Sequence, residues 1–286
     1  MKRLLPYIKI VVTLAAVVFI ALAIARYARE IGDLALQLKV GPLLLGLGLT
    51  LIATVPLSFL WTAVVRPGAV ADPALNLAYA KANLIRYIPG NVFGMGARVY
   101  FATMLGVPKS VAAASLLTEG VLLLGASGAL ATLHLKAALA APALVVAPLV
   151  VGLLARLLRN RPAVPRPKRA AGLTVGAYSY CLGLGLALAA LASAVGLEIP
   201  LQTAIGVFGL AWFLGYVSLL TPSGLGVREG TMVVALTPLI GAPAATFLSV
   251  ASRLAIVIAE LLVAFGWWLA VRHQRAVSHQ PPTTTP

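Results

Sequence analysis

Residues 41–64, GPLLLGLGLTLIATVPLSFLWTAV, contain no charged side chain. At about 1.5 Å of rise per residue, a helix of this length crosses the ~30 Å hydrocarbon core of a bilayer. Working outward, comparable apolar runs occupy residues 8–25, 111–133, 138–157, 171–195 and 244–271. The whole chain follows suit: 61% of its 286 residues are hydrophobic and 10% charged, with a mean hydropathy of +1.00. A soluble domain could not hide that much apolar surface. The runs are continuous rather than alternating, which excludes a transmembrane β-barrel. The expectation is an all-α polytopic membrane protein.

The net charge is +15, from 22 Lys and Arg against 7 Asp and Glu. Its placement speaks against nucleic acid, because no basic domain interleaved with aromatics exists to bind it. The basic residues crowd into short loops and tails, as cytoplasmic segments do under the positive-inside rule. The strongest marker is the run Arg156, Arg159, Arg161, Arg166, Lys168 and Arg169, which no acid interrupts. It marks a cytoplasmic loop, and the expectation is a multi-pass protein of a bacterial or archaeal cytoplasmic membrane with both termini cytoplasmic. The first run, Ile8 to Ala25, continues into Arg26 and Arg29 without a small-residue cleavage site, and reads as a retained helix. Cys181 stands alone, so disulfides have no part. His134, His273 and His279 lack metal-ligand spacing, and no metal or cofactor is expected.

Two stretches break the pattern. In residues 74–105, two modest apolar segments flank Arg86-Tyr87-Ile88-Pro89-Gly90-Asn91; in residues 201–240, the break is Thr221-Pro222-Ser223-Gly224-Leu225-Gly226. The first reads as a re-entrant pair from the cytoplasmic side, the second as one from outside. The count is six full spans plus two re-entrant helix pairs. The alternative is eight full spans, because residues 201–220 are long enough to cross. Residues 1–275 form one transmembrane domain, and 276–286 a disordered polar tail. Pro89-Gly90, Gly94, Gly96 and Arg98 resemble Pro222, Gly224, Gly226 and Arg228. Interrupted segments at matching positions in two halves point to an inverted repeat with a midplane site.

Three of the seven acids, Glu119, Glu229 and Glu260, lie in apolar surroundings, as do Arg86, Arg98, Arg228 and Arg253. Each such charge near the bilayer centre costs about 2.5–3.5 kcal/mol on insertion scales, so these groups must face the bundle interior, pair, or line water. Arg253 and Glu260, seven apart, share one face of the last span with Ser249 and Trp267. Helix N-termini after both breaks favour an anion, and guanidinium beside them suits phosphate. The candidate site is therefore Arg86, Pro89, Gly90, Asn91, Arg98, Glu119, Pro222, Gly224, Gly226, Arg228, Glu229, Arg253 and Glu260. The blander reading is that Arg–Glu pairs fix packing and Pro-Gly breaks are kinks. Trp61, Trp212, Trp267 and Trp268 read as interfacial anchors or packing. Gly125, Ser127 and Gly128 read as a close helix contact, and Gly94-x-Gly96 is no nucleotide loop.

From Arg86 to Arg98, and again from Pro222 to Glu229, the sequence resembles the flippase-like transmembrane region of lysylphosphatidylglycerol synthases (the MprF type). Glu119 falls at the expected place after the first motif. The resemblance covers nearly the whole chain and implies handling of a phospholipid or glycolipid in the cytoplasmic membrane. It implies a stand-alone form without the aminoacyl-transferase domain, and hence a transporter-like protein more than an enzyme. The expected function is a lipid translocase binding an anionic, phosphate-bearing headgroup near the midplane. The alternative is a membrane-embedded enzyme, or subunit of one, in glycolipid or lipid-linked sugar synthesis. A homo-oligomer or a lipid-synthesising partner enzyme fits either reading. A scaffold would instead tolerate neutral replacement of all the intramembrane charges together.

Overall fold

A computed structural model of the chain describes residues 24–66, 71–87, 92–135, 167–218 and 224–278, with Val18, Ala21, Leu22 and Gly68 besides. The expected spans over 8–25 (all but its last residues) and 138–157, the basic run up to Arg166, and the tail from His279 lie outside these residues. So do Pro89, Gly90, Asn91 and Pro222.

The described residues form nine helices and no strand: α1 (Ala28–Leu36), α2 (Val40–Val65), α3 (Pro73–Ile85), α4 (Val92–Met104), α5 (Lys109–Leu135), α6 (Pro167–Ala194), α7 (Leu201–Val217), α8 (Val227–Ile240) and α9 (Ala242–Ser278). Four are long and apolar enough to cross a membrane, through Val40–Val65, Lys109–Leu135, Ala171–Ala194 and Ala242–Ala276. Large apolar side chains stand exposed on them, including Ile52 at 70%, Leu117 at 74% and Val175 at 65%. Water does not support so much bare apolar surface; lipid does.

The stretch with Arg29, Glu30 and Asp33 folds as α1, in which Ile31 and Leu34 lie three apart and turn one face inward. One boundary differs from the sequence expectation. The last helix runs on to Ser278, so the first residues assigned to the polar tail are helical.

Glycines set the close approaches. Helices α2 and α6 run antiparallel, joined where Lys39 N–H donates to Ala194 O at 2.7 Å. Gly46 faces Leu191, Gly183 faces Ala53, and Gly176 faces Leu60; a methyl at any of the three would come within 2.8–2.9 Å of its neighbour. Likewise α7 lies on α5, with Gly209 against Ser127 O and Gly128 against Phe213. Lipid offers no hydrophobic drive between helices, so small residues bring the backbones together. Gly185 is tight against backbone, since a methyl there would lie 2.6 Å from Ile205 Cα. Gly185→Ala is expected to cost about 1–3 kcal/mol, read as a lowered melting temperature in nanodiscs.

Three residues within two turns of α2 tie it to its neighbours. Trp267 Nε1 donates to Ser58 Oγ at 3.1 Å, Trp61 Nε1 donates to Ser115 Oγ at 3.0 Å, and Thr62 Oγ1 donates to Asn76 Oδ1 at 2.7 Å. Other buried hydroxyls bond their own helix, as Thr54 does to Thr50 O at 2.7 Å. With no water available, every such group needs a partner inside the protein.

Candidate functional site

The α3–α4 hairpin begins with a cap. Asp72 Oδ1 accepts from Ala74 N–H at 2.9 Å and Leu75 N–H at 3.3 Å, while Pro73 fills the first helical position. Arg66 pairs with Asp72 at 2.9 Å and donates to Leu105 O at 2.6 Å. The outer ends of α3 and α4 therefore lie side by side, and Arg86 and Gly94 stand near the other end of the hairpin. Gly94 packs on the Arg86 side chain, where a methyl would come within 2.6 Å of Cβ.

Beyond the cap, α3 presents Tyr79, Asn83 and Arg86 at spacings of four and three, hence on one face. Arg98 reaches this face from α4. It donates to Glu119 Oε2 at 2.5 Å and to Asn83 Oδ1 at 2.6 Å, and its guanidinium lies 4.4 Å from the Tyr79 ring centre. Tyr79 O–H donates to the other Glu119 oxygen at 3.0 Å. Both oxygens of this buried carboxylate are thus engaged, and its charge is matched. Arg86 pairs with Glu260 of α9, and its guanidinium carbon stands 5.4 Å from the Tyr87 ring centre.

The α7–α8 hairpin reverses that arrangement. Its glycine is on the first helix and its arginine on the second: Gly215 packs on Arg228, whose Nε would lie 2.8 Å from an added methyl. Gly224 (φ +68°) and Gly226 (φ +85°) adopt left-handed conformations that L side chains resist. Gly224 also presses on Gly215, whose O would lie 2.7 Å from a Gly224 Cβ. Glu229 folds back to accept from Gly226 N–H at 2.6 Å, as the third residue of a capping box does. Its other oxygen lies 3.7 Å from Arg253 Nε, and Ser249 Oγ donates to its carbonyl at 3.3 Å.

The seam of α9 thus has definite partners: Ser249 and Arg253 on Glu229, Glu260 on Arg86, and Trp267 on Ser58. Among the described residues, three of the four intramembrane arginines have a glutamate. Arg228 has none. It is only 8% exposed, and its guanidinium lies over Trp212 at 4.4 Å. Trp212 stacks on Tyr216 (5.2 Å, 19°) and stands perpendicular to Tyr180 (5.9 Å, 89°). Adjacent Glu229 does not neutralise Arg228, because its carboxylate is turned to Gly226 and Arg253.

Both hairpins open onto one cavity of about 150 Å³. Tyr79, Asn83, Arg86, Gly94 and Arg98 line it from the first hairpin, and Trp212, Gly215, Tyr216, Gly224 and Arg228 from the second, with Glu119 and Tyr180 between. Of the expected site residues described, Arg86, Arg98, Glu119, Gly224 and Arg228 line the cavity. Gly226 caps α8, Glu260 stands behind Arg86, and Glu229 and Arg253 border a smaller cavity behind Arg228.

Two sequence readings are refined. Of the two readings of Trp212, packing holds: it is 3% exposed, sits in the core and lies under the Arg228 guanidinium. The matched motifs also differ in structure. Gly94 and Gly96 lie inside α4, with Arg98 two turns in, whereas Gly224 and Gly226 precede α8 and Arg228 is its second residue. Gly215→Ala follows as a probe. A methyl there would overlap Arg228 Cγ, near the root of the side chain, so the whole arginine must shift off Trp212 at a cost of about 1–3 kcal/mol. Altered Trp212 fluorescence in a protein lacking the other three tryptophans reads the change.

Comparison with known proteins finds no matching family model and no matching curated protein.

Proposed function

We propose that the protein moves a membrane lipid across the bilayer, taking an anionic, phosphate-bearing headgroup into the cavity between the two hairpins while the acyl chains stay in lipid. Arg228 carries this reading. Several kcal/mol oppose an unpaired cation in a low-dielectric interior, and a desolvated cation–π contact returns only about 2 kcal/mol. Trp212 alone leaves a deficit that an anion removes, and a phosphate on guanidinium does so through two parallel hydrogen bonds. Arg86 and Arg98 add positive potential at the same cavity, though each already has its glutamate.

In this reading α3–α4 and α7–α8 are re-entrant pairs. The 13-residue helices α3 and α4 are only about 20 Å long at 1.5 Å per residue, short of the hydrocarbon core. The adjoining outer ends at Asp72 and Leu105 fit a hairpin that enters and leaves on one side. With the full spans of the sequence reading this gives six crossings, an inverted repeat, and both termini on the cytoplasmic face. The resemblance to the transmembrane region of lysylphosphatidylglycerol synthases belongs to the same proposal.

The test is reconstitution into liposomes with reporter lipids of several headgroups. Faster transbilayer movement of a phosphatidylglycerol probe, with little effect on a phosphatidylcholine probe, is expected. Unchanged rates for every headgroup would overturn the proposal.

A further inference from the structure

The charges around the larger cavity do not cancel. Arg86, Arg98 and Arg228 line it, opposed by Glu119 on its wall and by Glu260 behind Arg86. Arg253 and Glu229 offset one another behind Arg228. Tyr79, Tyr180 and Tyr216, also on the wall, are phenols and carry no charge near neutral pH. Residues 88–91 and 219–223, in the two breaks, contain no ionisable side chain. Three cations therefore face two anions, and the remainder is a single positive charge. Hydrogen-bond donors follow the same division. Arg98 directs its terminal nitrogens to Glu119 and Asn83, and Arg86 directs one to Glu260. Arg228 lines the cavity with no carboxylate among the described residues.

The geometry points to a cargo whose headgroup is a phosphodiester with one net negative charge, selected against phosphomonoester and zwitterionic headgroups. This names the substrate class of the proposed function and rests on it. One negative charge brings the cavity to neutrality, and a net charge left in a low-dielectric interior is costly. A diester offers two non-bridging oxygens, which match the two parallel N–H groups of one guanidinium. Arg228 alone can therefore hold it, and the Arg86–Glu260 and Arg98–Glu119 pairs stay closed. A monoester above its second ionisation, at about pH 6, carries roughly two charges and a third acceptor oxygen. It leaves a net negative charge in the cavity, and its extra oxygen is met only by drawing Arg86 or Arg98 from its glutamate. A zwitterion cancels its own phosphate charge. The cavity then keeps its positive charge, and the ammonium group faces three arginines.

Phosphatidylmethanol and phosphatidic acid with the same acyl chains differ by one methyl, and so separate diester from monoester at nearly constant size. Native mass spectrometry of the purified protein, given both lipids in equal amounts with phosphatidylethanolamine as the zwitterion, reads their relative binding. At about pH 8.5, where the monoester is dianionic, phosphatidylmethanol is expected to bind about tenfold more tightly than phosphatidic acid; at about pH 5.5, where it is a monoanion, the two should bind alike. The diester keeps its single charge throughout, so its own binding reports any titration of Glu119 or Glu260. Glu260→Gln raises the charge at the cavity by one, and at the higher pH it should turn the preference toward phosphatidic acid. Equal binding of the two lipids at the higher pH, or a preference that ignores pH, would overturn the assignment. Should Glu260→Gln fail to fold, the pH comparison in the parent decides alone. Selective binding of the diester without transbilayer movement in liposomes would sink the transport proposal alone. Movement of anionic lipids with no preference between diester and monoester would sink this one alone.

Discussion

Glu119→Gln is expected to destabilise the protein by about 3–5 kcal/mol, the usual cost of stranding one partner of a buried ion pair. Glutamine keeps the size of the side chain and can still accept from Tyr79 O–H, so the loss isolates the charge. Arg98 then sits 14% exposed, with Asn83 and the Tyr79 ring as its remaining partners and no carboxylate. Neither substitutes for one: a neutral amide oxygen and a cation–π contact together leave most of the desolvation cost uncovered. Arg98→Met on top of Glu119→Gln removes the stranded cation and should recover most of the stability. Thermal unfolding of the single and double variants in nanodiscs gives the coupling directly. A single-variant shift no larger than that of an exposed lysine substitution would show that the pair contributes nothing.

How far the sequence foretells this network depends on what kind of signal each residue leaves. A charge in an apolar run is conspicuous because its insertion is costly, so all seven intramembrane ions stand out before any fold is known. Arg253 and Glu260 can even be placed on one face, since a helix converts a spacing of seven into a stripe. Pairing is another matter. Arg86 and Glu260 are 174 residues apart, and nothing local says which arginine keeps its glutamate and which goes without. The aromatic walls are hidden for the opposite reason: Tyr79, Tyr180, Trp212 and Tyr216 look like core residues in a chain that is mostly core. Two signals were available, the Tyr79–Asn83–Arg86 stripe of α3 and the Trp212–Tyr216 pair one turn apart on α7. The self-cap of Glu229 also escapes the reading. A glutamate three residues after a glycine is a cap only once that glycine turns left-handed, and until then it looks like a partner for Arg228 beside it.

That distinction sets up the opposite response at Arg228. Arg228→Met should leave the protein as stable as the parent or more so and, on the proposed function, lower headgroup binding at least a hundredfold. The signs differ because the two arginines stand in different balances. Removing Arg98 alone would strand a carboxylate, but removing Arg228 strands nothing, as Glu229 is already held by Gly226 N–H and Arg253. Methionine keeps an apolar stem against Trp212 and deletes a charge whose burial costs several kcal/mol. Binding moves the other way. Two charge-assisted hydrogen bonds at about 1.5–3 kcal/mol each are lost, and each 1.4 kcal/mol is a factor of ten in affinity. Arg228→Lys should fall between, keeping the charge without the planar fork. Melting temperature and transbilayer rate, measured on the same preparations, separate the possibilities. A Met variant as unstable as Glu119→Gln would make Arg228 a packing residue, and one that moves anionic lipid at the parent rate would remove it from the site. An arginine with no carboxylate partner among the described residues, set where two hairpins meet on one cavity, needs a reason outside stability, and in the proposed function an anion that comes and goes supplies it.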